Sequence, residues 1–152
     1  MNGRVFAGLL WCGVIGFVAP HPLPAAEALL PADYGHFDLA AVRAELPKES
    51  DRAMVERRLV DNGGTGVRVF RVYRPIAAHY HHYSDTVLKV LAGEADLVID
   101  GGEPLHVQPG DVVFWRAEVV HAVTGVRKGP VDFLAIDTPV RRPDDVQWAA
   151  SP

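Results

Sequence analysis

The stretch HYHHYSDTVLKVLAG, from His79 to Gly93, joins a histidine-rich strand to an apolar one and ends on a glycine. Within it, His79 and His81 are two residues apart. Strand side chains alternate between faces, so both imidazoles lie on one side, about 6–7 Å apart along the strand. His82 falls on the opposite face of a regular strand. A second stretch, PGDVVFWRAEVVHAV from Pro109 to Val123, carries a turn, a short apolar strand and then His121. Proline fixes the entry to such a turn, and glycine permits the positive φ inside it.

Outward from these two stretches the same character continues. Strand-like segments run over Met54 to Val60, Val67 to Tyr73, Ala77 to Tyr83, Thr86 to Leu91 and Ala95 to Ile99. Leu105 to Val107, Val112 to Trp115, His121 to Val126 and Val131 to Ile136 complete the series. Asn62-Gly63-Gly64 and Gly101-Gly102 separate neighbouring segments as turns. Val67, Val69 and Tyr73 share one face of their strand. Many short strands with no long helix between them specify an all-β sandwich or barrel. A short helix is expected between Asp33 and Pro47, with Asp38 as cap, Leu39, Val42 and Leu46 at helical spacing, and Pro47 as the stop. The barrel is placed at 53–138, an N-terminal extension carrying the helix at 27–52, and a tail at 139–152. The tail is rich in Pro and Asp, and is expected to pack on the outside or fray.

A chain of 152 residues with 49% hydrophobic and 22% charged residues has room for one globular domain. Its net charge of −4 leaves no basic surplus to neutralise phosphates, which argues against a nucleic-acid partner. Arg57-Arg58 and Arg141-Arg142 are the clustered basic pairs, and both read as solvated edges. The N-terminus begins with Arg4, continues through the apolar run Val5 to Ala19, and reaches small residues after Pro20, Pro22 and Pro24. That order describes a secretory signal over residues 1–26, cleaved after Ala26 or Ala28. The expected location is periplasmic or secreted, with no membrane contact once the leader is gone. Cys12, the one cysteine, falls inside the leader. The mature chain then has no disulfide and no sulfur ligand.

Imidazoles on His79, His81 and His121 suit a transition metal rather than calcium or magnesium. Spacing alone fits equally well three histidines satisfied by hydrogen bonds in a polar cavity. The two quoted stretches resemble the two motifs of the cupin superfamily: a His-x-His pair leading to a Val-Leu-x-Gly turn, then Pro-Gly-Asp ahead of a further histidine. The resemblance spans about Val67 to Asp137 and implies a single-domain cupin-type (jelly-roll) β-barrel. It makes His79, His81 and His121 the ligands of one divalent metal ion, with Fe, Zn, Mn, Ni and Cu all open. Gly93 becomes the turn after the second strand, and Pro109, Gly110 and Asp111 the turn into the second motif. A homodimer is also implied.

The chain departs from the family pattern where a glutamate is usual, because that position is Thr86. Asp85 is adjacent but points to the other face, and reaches the metal only through a bulge. Tyr73, Arg116 and Gly125 stand where the pattern has glycine, proline and asparagine. A neutral three-histidine face leaves the ion its full charge and favours an anionic small-molecule ligand. The reading is a metal-binding cupin of dioxygenase type acting on a small organic molecule. A non-catalytic binder of a metal or small anion and a zinc-type lyase or isomerase are the alternatives. Tyr80 and Tyr83 flank the ligands, and Tyr73, Trp115, Phe114 and Phe133 are candidates to line the cavity. Arg116 and Glu118 are candidates for its mouth. His36, His82 and His106 are surface or structural residues.

Overall fold

In the computed structural model, residues 34–149 are described, so the proposed leader lies outside the described residues. The helix forms as α1 (Leu39–Glu45), with Asp38 Oδ1 accepting from the backbone N–H groups of Ala40 and Ala41 at 2.9 and 3.4 Å. Eight strands follow: β1 (Met54–Asp61), β2 (Gly66–Val72), β3 (Ile76–His81), β4 (Asp85–Ile99), β5 (Leu105–Val107), β6 (Val112–Trp115), β7 (His121–Thr138) and β8 (Val146–Trp148). They form one sheet in the order β1-β2-β7-β3-β8, with β4 joined to β7 and carrying β5 and β6. This sheet curls into a barrel around Phe70, Val72, Leu88, Val90, Leu97, Val131 and Phe133.

Two pairs of segments that read as separate strands are continuous. Thr86 to Leu91 and Ala95 to Ile99 are halves of β4, and His121 to Val126 and Val131 to Ile136 are halves of β7. These long strands pair with each other from Asp85↔Thr138 to Ile99↔His121, with register shifts around Gly93. Gly93 therefore bends a continuing strand rather than ending one. Its φ is +77°, and a Cβ there would stand 2.6 Å from the Lys128 carbonyl oxygen and 2.7 Å from that of Pro130. Only glycine fits so close a backbone crossing.

The face of β2 bearing Val67 and Val69 is not the barrel interior. Leu46, Leu59 and Val69 form a second cluster there, covered by Leu39 and Val42 of α1. Tyr73 also belongs outside, donating its hydroxyl hydrogen bond to the Pro47 carbonyl. Both faces of β2 are buried, so its alternation could not say which one turns inward. Arg43 of α1 and Arg71 of β2 meet on Asp132, at 2.7 and 2.6 Å, beneath the helix. Arg71 Nη1 and Nη2 also donate to the carbonyls of Leu46 and Arg43, which occupies acceptors at the helix C-terminus.

The tail returns to the sheet. β8 pairs antiparallel with β3 through His79↔Trp148, Tyr80↔Gln147 and His81↔Val146, and Asp145 is fully buried.

Candidate metal centre

His79 and His81 share a face of β3, and β7 begins beside them with His121 as the direct partner of His79. One candidate ligand atom from each of the three lies within 4.8 Å of the other two. Ring centroids are 4.3 Å apart for His79 and His121, 5.1 Å for His81 and His121, and 5.3 Å for His79 and His81. The sequence-expected residues therefore come together. Among the described residues no carboxylate joins the cluster.

The hydrogen bonds set the tautomers of two rings. Nδ1 of His79 stands 2.8 Å from the Ala77 carbonyl oxygen, and Nδ1 of His121 stands 2.9 Å from that of Val119. A carbonyl only accepts, so each Nδ1 carries the proton and each Nε2 keeps its lone pair for a ligand. His81 is buried with neither ring nitrogen hydrogen-bonded. Buried polar atoms without hydrogen bonds are rare, and here the ring stands beside two other imidazoles. Burial holds all three imidazoles below their ordinary pKa, His81 down to about 2 and His121 to about 3. The positive charge of Arg141 contributes to each of these shifts in the same direction. Neutral imidazoles at neutral pH are the form a metal ion requires. The donor set fits one transition-metal ion.

The neighbours of the cluster correct several expectations. Thr86 faces inward, but its hydroxyl donates to Asp137 Oδ1 at 2.8 Å and so belongs to a polar network. Asp85 points away, accepting from the Ala117 N–H at 2.8 Å. Trp115 is buried with its ring centroid 4.3 Å from that of His121, and it lines the cavity together with Phe133. Phe114 lies on the outer face, 56% exposed. Tyr80 pairs with Gln147 in the sheet, and the ring of Tyr83 stacks under Arg142. Glu118 reaches His82 on the surface at 3.3 Å, and neither it nor Arg116 lines the cavity. His36 and His106 are exposed, and His106 sits near Glu94 and Asp96.

A cavity open to solvent has His79, His121, Arg68 and Arg141 in its wall. Both arginines escaped the sequence reading. Arg141 looked like half of an exposed pair, and Arg68 stands between valines in a strand of undetermined facing. The available signal was its parity with Phe70 and Val72.

The family described as "Cupin domain" matches residues 71–137, the span that carries all three histidines. The chain carries a cupin domain. Solved structures share the cupin fold at low identity. One is a putative mannose-6-phosphate isomerase from Ralstonia eutropha, at 21% identity and TM-score 0.59, covering 70% of this chain and all (100%) of that one. An uncharacterised protein with a double-stranded β-helix domain from Klebsiella pneumoniae has 20% identity and TM-score 0.56, covering 68% and 90%. KdgF from a Halomonas species has 16% identity and TM-score 0.56, covering 66% and 92%. No curated protein matches the chain significantly. Within this cupin, the motif-1 histidines come from β3 and the motif-2 histidine from the start of β7.

Proposed function

We propose that this cupin is an exported metalloprotein that binds one divalent transition-metal ion on His79, His81 and His121, and acts as a dioxygenase on a small organic molecule. The observation that carries the reading is the free donor set: two Nε2 lone pairs freed by backbone carbonyls, and a buried His81 ring that makes no hydrogen bond. Bound there, the ion supplies a Lewis acid with open coordination positions, because three protein ligands leave room for more.

The chain's own residues do the rest. Ala77 and Val119 hold their histidines in one tautomer. Trp115 packs beside His121, and Ile76, Leu97, Ile99 and Phe133 make the wall apolar, which limits water near the ligands. Export rests on the leader pattern at residues 1–26, and it places metal loading outside the cytoplasm.

The test is metal content followed by oxygen uptake. Bound iron near one equivalent, with oxygen consumption that depends on a thiol, diketone or polyphenol substrate, supports the dioxygenase reading. Tight zinc or copper without turnover overturns it in favour of a binder. Zinc with turnover and no oxygen consumption overturns it in favour of a lyase or isomerase.

A further inference from the structure

Five polar side chains from different elements form one network, of which Arg68, Thr86 and Arg141 line the cavity beside the histidines. Arg68 of β2 donates from Nε to Asp137 Oδ2 at 2.9 Å and from Nη1 to Glu56 at 3.1 Å. Arg141 donates from Nε to Asp137 Oδ1 at 3.0 Å and from Nη2 to the Thr86 hydroxyl at 3.3 Å. The arginine side chains are 8% and 16% exposed, and Asp137 is 2% exposed. Glu56 is different. Its side chain is 35% exposed, at the solvent end of the network, where water screens it.

The hydrogen-bonded, enclosed part of the network thus sets two guanidinium charges on one carboxylate, with the buried charge of Asp145 acting on Arg141 from further off. Guanidinium N–H groups in a low-dielectric wall are costly where they lack acceptors, and an anion supplies them. Burial and the Arg68 charge together bring the Arg141 pKa down to about 10, against the opposing pull of Asp137 and Asp145. Among the described residues, Nη2 of Arg68 and Nη1 of Arg141 make no hydrogen bond. Both side chains line the same cavity as His79 and His121. Most of the remaining wall is apolar, including Met54, Ile76, Leu97 and Ile99.

We propose that Arg68 and Arg141 form an anion subsite that takes the carboxylate of a small organic monoanion, whose apolar body occupies the cavity towards the three histidines. A guanidinium donates in a planar fork that matches a carboxylate. A carboxylate brings one negative charge beside Asp137, whereas a phosphate dianion brings two and is repelled more strongly. The apolar wall requires a hydrocarbon body rather than a hydrated inorganic ion. The orientation towards the histidines rests on the metal reading above, but the anion subsite is testable without metal.

The experiment is calorimetric titration of the metal-stripped chain with benzoate and hexanoate, against benzamide and hexanamide, at constant ionic strength. The acids are expected to bind at least about tenfold more tightly than the amides, as a charge-assisted fork requires. Equal affinity of acids and amides overturns the proposal and needs no variant. Arg141→Gln is expected to bring acid and amide within about twofold of each other. A folded Arg141→Gln chain that keeps the native preference overturns it as well. Inorganic phosphate displacing benzoate at equal concentration overturns the monocarboxylate class.

Repeating the titration with one equivalent of zinc separates the two readings. Acid binding to a chain that takes up no zinc sinks the metal centre alone. Zinc uptake, with acid binding only in its presence and indifferent to Arg141→Gln, sinks the anion subsite alone.

Discussion

The carboxylate of Asp145 stands against His81, with its Oδ2 3.4 Å from the imidazole Nδ1. That is longer than a formed hydrogen bond. Asp145 is already anchored, accepting from the Tyr83 N–H at 2.7 Å and the Ser84 hydroxyl at 2.9 Å. The tail thus brings a buried carboxylate to the one histidine of the cluster that no backbone carbonyl orients. An acceptor at Nδ1 favours ligation through Nε2 and raises the ring's basicity. Asp145→Asn keeps the shape and removes the charge, and is expected to weaken zinc binding about 10–100-fold. Competition with a chromophoric chelator measures it. Unchanged affinity in a folded Asp145→Asn chain refutes the coupling.

His121→Ala removes the donor from β7 and leaves the two on β3. Metal content after dialysis is expected to fall from about one equivalent to background, since two imidazoles rarely retain a divalent ion. Asp85→Asn is the matched control. Its carboxylate serves the Ala117 N–H, so metal content stays at the native level. Elemental analysis of the two proteins decides. Retention in the first or loss in the second contradicts the assigned donor set.

Asp132 links acid stability to the docking of α1. Burial disfavours its charge, but hydrogen bonds and charge from Arg71 and Arg43 outweigh that and hold its carboxyl below the usual carboxylate range. A depressed folded pKa means the unfolded chain binds the proton more readily. The stabilisation is present above the unfolded value, about 4, and is lost as pH falls through the lower folded value. Asp132→Asn leaves the guanidinium of Arg71 buried without its counter-charge, at a cost of about 3 kcal/mol at neutral pH. Urea unfolding from pH 7 to pH 3 is expected to give a shallower acid limb for the variant. Parallel curves exclude the linkage.

Gly93→Ala tests the bend in β4. Alanine at a φ of +77° is strained, and its Cβ would press on backbone oxygens of β7 rather than on side chains that could move aside. The expected loss is roughly 3 kcal/mol, read as a lower urea midpoint. A midpoint within error of the native chain is incompatible with so close a crossing.

Much of the fold was legible because the relevant physics is local. Alternating apolar residues, Pro109-Gly110 and the two-glycine turn at Gly101 located the strands, and Asp38 with Pro47 bracketed the helix. Where β4 and β7 read as broken, the cause was also local: Gly93 and the Gly129-Pro130 pair look like ends, although pairing across the barrel carries both strands through. The three-residue β8 is too short for periodicity to reveal, and it forms only because β3 presents an edge to it.

By itself, the sequence determined the strand succession, the shared face of His79 and His81, and the likeness of the two histidine motifs to a known superfamily. Those follow from spacing along one chain. Only the tertiary structure decided that His121 begins beside His79, that Asp145 backs His81, and that Arg68 and Arg141 enter the cavity on a single enclosed carboxylate. These are contacts between residues far apart in sequence, and curling the sheet is what brings them together. A guanidinium is written identically whether it meets water or a buried wall.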